Sequence, residues 1–215
     1  METNSSGLRS LLKKGAPGEV SSARPPAELH KTLGLKEFLS RLEGKGKIHL
    51  LDLGPALEDN ILYLATRNWK VYVQDFFFEL EEARDSPPDQ PFSFAQFLDR
   101  SFPYANNTFD AVLAWDLFNY LAPKEGNALA KRLFVQMKVG GLLLALFSST
   151  KTIANAPLEY RIVDAGNLHY DSDRFERVSA PSFTNNEIVR MMDRFAVVNF
   201  YFLRNGVREA LLTKK

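Results

Sequence analysis

Cysteine is absent from all 215 residues. Disulfides, thiolate nucleophiles and cysteine-ligated zinc are therefore excluded. Histidine is scarce: His30, His49 and His169 are too scattered to suggest a histidine-rich metal site, and no metal is expected. Long apolar runs are also missing, because the longest, Leu142 to Phe147, falls far short of the ~20 residues that span a bilayer. The opening residues, Met1-Glu2-Thr3-Asn4-Ser5-Ser6, lack the basic start and apolar stretch of a secretory signal. A soluble cytoplasmic protein with no membrane partner is the expectation. The net charge of +1 gives no global field to gather polyanions, so nucleic acid is not an implied partner.

What is present is an ordinary globular composition, 45% hydrophobic and 25% charged, at a length suited to one well-cored domain. Residues 1 to 26 are rich in Ser, Gly and Pro, carry Arg9, Lys13, Lys14 and Arg24, and show no apolar period. They read as a flexible, solvated tail before a domain over 27 to 215.

Leu35, Phe38, Leu39 and Leu42 fall at i, i+3, i+4 and i+7 and predict an amphipathic helix stopped by Gly44 and Gly46. Ile48 to Leu53 reads as a buried strand ending at Gly54-Pro55. A helix through Ile61, Leu62, Leu64 and Ala65 follows, closed by Asn68, and then a strand from Lys70 to Gln74 ending on Asp75. Strand, helix, strand is the signature of a right-handed βαβ unit. Pro87, Pro88 and Pro91 break the chain before a weak third strand around Phe92 to Phe97. Asp110 to Trp115 is a fourth strand with Asp116 just past it. A helix through Ala130, Phe134 and Met137 is expected to end at Gly140-Gly141, before a fifth strand from Leu142 to Phe147.

The end of the chain leaves this alternation. Thr184-Asn185-Asn186-Glu187 fits a capping box that opens a helix through Ile188, Met191, Met192 and Phe195. Val197 to Leu203 and Glu209 to Thr213 then flank Arg204-Asn205-Gly206. Asn-Gly is a hairpin signal in which both turn residues are expected at positive φ.

Chemistry is expected where the first strand meets its glycine turn, since backbone amides there converge on the crevice where nucleotides bind. That turn is Asp52-Leu53-Gly54-Pro55. Asp75 lies 21 positions after Gly54, at the end of the next strand, where a carboxylate takes the hydroxyls of an adenosine ribose. A nicotinamide-dependent oxidoreductase would need a G-x-G-x-x-G turn, which is absent.

The order of elements and four phrases, Leu50-Leu51-Asp52-Leu53-Gly54, Val71-Tyr72-Val73-Gln74-Asp75, Phe102 to Leu113 and Lys138-Val139-Gly140-Gly141-Leu142-Leu143, resemble the class I S-adenosylmethionine-dependent methyltransferases over residues 28 to 215. The first, glycine-rich motif is degenerate: Pro55, Ala56, Leu57 and Glu58 follow Gly54, leaving less room and one amide fewer. The resemblance implies an α/β, Rossmann-like three-layer sandwich with a mostly parallel seven-stranded sheet and a C-terminal antiparallel hairpin. It implies S-adenosylmethionine as cofactor, with Asp52 and Gly54 at its methionine end, Asp75 on the ribose, and Phe76 and Asp99 at the adenine. Trp115 completes the cofactor set.

Asp116 and Tyr120 stand where the methyl group would point and are the candidates to bind or deprotonate an acceptor. His169, Tyr170 and Asp171 lie in the connection from Ser148 to Phe183, where the family builds its substrate cover. Trp115-Asp116-Leu117-Phe118-Asn119-Tyr120 does not match an Asn-Pro-Pro-Tyr type of motif and identifies no acceptor, so the substrate class stays open, with a small molecule the expectation. The alternative is a catalytically inactive methyltransferase-like binding or regulatory module.

Overall fold

The computed structural model describes residues 29–85, 91–172, 175–180 and 182–215. The expected tail over 1 to 26, and Pro87 and Pro88, lie outside the described residues. The chain runs β1 (Leu29–Lys31), α1 (Gly34–Leu42), β2 (His49–Asp52), α2 (Glu58–Ala65), β3 (Lys70–Val73), α3 (Phe76–Arg84), α4 (Phe94–Ser101) and β4 (Phe109–Trp115). A 3-10 turn (Leu117–Tyr120), α5 (Pro123–Gln136) and β5 (Met137–Ser148) follow. Then come the short strands β6 (Thr152–Ala154), β7 (Arg161–Asp164), β8 (Asn167–His169) and β9 (Arg177–Ser179), and finally α6 (Asn185–Met191), β10 (Phe195–Phe202) and β11 (Val207–Lys214).

The main sheet has six strands in the order β10-β11-β5-β4-β2-β3. The pairs β2–β3, β2–β4 and β4–β5 are parallel, whereas β5–β11 and β11–β10 are antiparallel. The pleat sorts the core. Leu50, Leu113, Leu144 and Leu211 face α1 and the β7–β8 segment, and Leu51, Val112, Leu143 and Leu212 face α3, α4, α5 and α6. Strands buried on both faces need helices on both sides, which makes the three-layer sandwich.

Six strands, in a mixed sheet, replace the expected seven because the segment read as a third strand is α4. Phe94, Phe97 and Leu98 recur at helical spacing, and Ser93 accepts from the Gln96 amide as an N-cap. The Pro123 helix also stops earlier than expected, at Gln136. Met137 already pairs with Phe109, and the next pair is Ala111 with Leu142, so the Gly140-Gly141 stretch is an irregularity inside β5. Gly140 sits at φ +76°, and a Cβ on Gly141 would lie 2.8 Å from the Lys138 carbonyl oxygen. These glycines serve a bulge, not a helix end.

The C-terminal hairpin and the Thr184–Glu187 capping box form as expected. Of Asn205 and Gly206, however, only Gly206 has positive φ. The Gly206 amide donates to Leu203 O at 3.2 Å and the Leu203 amide to Val207 O at 2.8 Å, a longer loop in which one left-handed glycine suffices. One clamp in the fold has no sequence signature. Glu209, fully buried in β11, accepts hydrogen bonds from the Thr32 hydroxyl, the Leu33 amide (2.9 Å) and the Gly34 amide (2.7 Å), fastening the start of α1 to the sheet.

Candidate functional site

After β2 the chain crosses to β3 on one side, while β4 lies on the other, so the strand order reverses between β2 and β4. Open α/β sheets bind ligands outside the carboxyl ends of the strands at such a reversal. Here those ends carry Asp52, from β2, and Trp115 and Asp116, from β4.

Asp52 is 2% exposed, and its Oδ1 accepts from the Gly54 amide at 3.0 Å and from Trp115 Nε1 at 2.6 Å. Burial raises its pKa to about 6; the two donors oppose the rise, and the charge of Asp75 adds to it. Trp115 holds φ +46°, a left-handed conformation that costs a non-glycine residue about 1–2 kcal/mol. Its ring stacks on Tyr160 with centroids 5.4 Å apart and planes 6° from parallel. A Cβ on Gly54 would lie 2.8 Å from Trp115 Cδ1, so the glycine is required by the indole. Within the turn the Gly54 amide serves Asp52, Pro55 has none, and the Leu57 amide donates to Pro55 O at 2.8 Å. The Ala56 amide makes no hydrogen bond among the described residues.

Asp75 is half-buried at the end of β3. One carboxylate oxygen caps α3 by accepting from the Phe78 amide at 3.2 Å, and the other accepts nothing among the described residues. The Gln74 amide donates to Asp52 O at 2.9 Å, so Asp75 follows directly on the residue that pairs with the end of β2. Phe76, expected beside an adenine, is instead fully buried against Phe97 and Phe102. The cap at Asp75 starts a helix whose spacing turns Phe76 and Leu80 inward. Phe77 meets the Tyr120 ring at 5.4 Å, and Phe78 is the outward member of the three, 60% exposed. Asp99, also expected at the adenine, stands on the outer face of α4 and pairs with Arg132. Because Phe97 and Leu98 hold that helix to the core, its neighbour Asp99 points away.

Asp116 and Tyr120 bracket the 3-10 turn, and Asp116 is 6% exposed. The Asp116 side chain makes no capping bond to that turn. Its Oδ2 accepts from the Leu158 amide at 3.3 Å, while Oδ1 is buried without a hydrogen-bond partner among the described residues. Burial raises its pKa to about 7, against the pull of the Leu158 amide and the nearby Tyr160 and Tyr120 hydroxyls. Tyr120 donates to Ala156 O at 2.8 Å. Burial, and then the Asp116 charge, raise its own pKa, so it stays protonated at neutral pH.

Asp116 and Tyr120 line a cavity of about 120 Å³ whose other walls include Tyr160, Tyr170, Leu158 and Ile153. Most of these walls, Tyr170 among them, come from the connection after Ser148. His169 faces a separate outer groove with Leu62 and Val163. The motif reading did not find Tyr160. Asn60 of α2 staples it, donating to Tyr160 O at 2.7 Å and accepting from the Ile162 amide at 2.7 Å. That contact spans 100 positions and has no local signal.

No group of three or more His, Asp or Glu residues that could hold a metal occurs among the described residues, and no described helix is long and apolar enough to cross a membrane.

No protein-family model matches the chain, and no curated protein is similar to it. Solved structures are similar in fold. A candidate S-adenosylmethionine-dependent methyltransferase from Listeria monocytogenes matches with a TM-score of 0.51 at 14% identity, over 85% of this chain and 96% of that one. The PH0226 protein of Pyrococcus horikoshii OT3 matches with a TM-score of 0.51 at 16% identity, over 84% of this chain and 89% of that one. The chain has the fold of the class I S-adenosylmethionine-dependent methyltransferases.

Proposed function

We propose that this chain is an S-adenosylmethionine-dependent methyltransferase acting on a small molecule. The observation that carries the reading is Asp75, a half-buried carboxylate at the end of the second parallel strand, with one oxygen capping a helix and the other open, next in sequence to Gln74, whose amide pairs with Asp52 O. The donor set fits the cofactor. The open oxygen of Asp75 suits the ribose hydroxyls, the acids Asp52, Asp75 and Asp116 suit a sulfonium cation, and the Ala56 amide suits a carboxylate. Trp115 would wall the same crevice. When bound, the cofactor supplies an activated methyl carbon, which leaves the protein the tasks of orientation and proton removal. In the cavity next door, Asp116 Oδ1 is the group placed to take a proton from an acceptor.

A second reading, a methyltransferase-like binding or regulatory module without turnover, is favoured by the position of Trp115. Its indole lies against Gly54 and holds Asp52, so the chain's own side chain covers the glycine turn.

S-adenosylhomocysteine at a hundredfold excess over its dissociation constant is expected to stabilise the fold by about 2.7 kcal/mol, raising the melting temperature by roughly 5–10 °C. An unmoved melting curve at millimolar ligand would remove the cofactor and leave the second reading.

A further inference from the structure

The cavity at Asp116 restricts its occupant in size, shape and polarity. Resting on the methyltransferase reading, we propose that the acceptor buries a single aromatic or heteroaromatic ring carrying an O–H or N–H that donates to Asp116 Oδ1.

Size comes first. At about 120 Å³ the cavity is close to the apolar cavities of about 150 Å³ that hold one benzene ring, so a single ring fills it and the second ring of a fused bicycle would project from it. Shape follows from the walls, since Tyr120, Tyr160, Tyr170 and Phe147 present ring faces or edges and Leu158 and Ile153 complete an apolar slot. Polarity follows from the buried acid in the wall and the bonds already made around it. The Asn119 amide is used up, its nitrogen donating to the Asp116 and Leu146 carbonyls and its oxygen accepting from the Ser148 amide. The Tyr120 hydroxyl donates to Ala156 O. Asp116 Oδ1 is buried without a hydrogen bond among the described residues, with the Tyr160 and Tyr120 hydroxyls near the carboxyl, and leaving such an atom unpaired costs about 1–3 kcal/mol, more when it is charged. A donor on the occupant removes that cost.

The step balances. The ring oxygen or nitrogen uses a lone pair to bond the methyl carbon, the carbon–sulfur bond breaks with its electron pair passing to sulfur, and the ring proton passes to the Asp116 carboxylate. Burial already holds that carboxyl near pH 7, where it exchanges a proton readily.

The test measures binding by ligand-observed NMR on the full chain at neutral pH, without cofactor, using phenol, fluorobenzene and 2-naphthol. Phenol is expected to bind at millimolar concentration. Fluorobenzene, of similar size but lacking a donor, is expected to bind at least roughly tenfold more weakly, and 2-naphthol, whose second ring would project from the slot, to bind more weakly than phenol. Asp116→Asn, checked for folding by its melting curve, is expected to weaken phenol roughly tenfold. The proposal is overturned if phenol does not bind, if fluorobenzene or 2-naphthol matches it, or if the Asn variant binds phenol like the wild type. Because no cofactor is present, the outcomes separate. Phenol bound through Asp116 with no affinity for S-adenosylhomocysteine would leave the ring site standing and remove the methyltransferase, and the reverse result would remove the ring site alone.

Discussion

Replacing Glu209 by alanine is expected to cost roughly 3–5 kcal/mol, lowering the melting temperature by about 10 °C. Three donors converge on this buried carboxylate: the Thr32 hydroxyl and the Leu33 and Gly34 amides. Hydrogen bonds to a charged group contribute about 1.5–3 kcal/mol each, offset in part by the burial that raises the Glu209 pKa. Alanine would leave two amides at the start of α1 unpaired. Alanine at Gly34 would not rebuild the contact, because its Cβ would lie 2.9 Å from Glu209 Cβ. Glu209→Gln keeps an oxygen for both amides and is expected to retain most of the stability. Melting curves of both variants decide this, and an alanine variant as stable as the wild type would show that α1 is held by its apolar face alone.

Asp116→Asn is expected to make the protein more stable at pH 8 than the wild type by roughly 4 kcal/mol, and to make little difference at pH 4. The folded carboxyl is held from 3.8 up to about 7. Below the ordinary carboxylate pKa both states are protonated, and Asp116 carries no penalty. As pH rises the unfolded chain releases its proton first, so the stability conferred by the protonated folded form falls through this window and is lost above about 7. At about 1.4 kcal/mol per pH unit the window amounts to roughly 4 kcal/mol. Asn has no such equilibrium. Asp52, raised to about 6, behaves in the same sense in both proteins and cancels from the difference. Denaturant titrations at the two pH values measure it, and a difference that does not change with pH would mean that Asp116 is not buried as a proton-holding acid. The same substitution is expected to abolish turnover, trading activity for stability.

The ends of β2, β3 and β4 were legible because each strand is a short apolar run closed by an acid, which places Asp52, Asp75 and Asp116 at the carboxyl ends of the strands. Their partners were not. Trp115 turns back onto Gly54 through one left-handed residue, which composition and spacing do not encode. Phe92 to Phe97 was misread because clustered aromatics suit a strand as well as a helix, and the deciding feature was the recurrence of Phe94, Phe97 and Leu98. The cavity was legible only as a region. Its walls depend on distant contacts such as Asn60 of α2 with Tyr160 and on the pairing of Arg161 with His169 between two short strands. Phe76 and Asp99 were assigned by position in a motif, and local helix geometry turned one inward and the other outward.

The most direct test of the cofactor site is calorimetric titration of S-adenosylhomocysteine into the wild type, Asp75→Asn and Asp75→Ala, with melting curves on the same samples. The account predicts measurable binding to the wild type, at least roughly tenfold weaker binding to the alanine variant, and an intermediate value for asparagine, whose oxygen keeps part of the ribose contact. Loss of the Phe78 cap costs alanine about 1 kcal/mol of stability, too little to unfold the domain. Equal affinity in all three proteins, or stability changes without any change in affinity, would contradict the account and leave Asp75 as a helix cap.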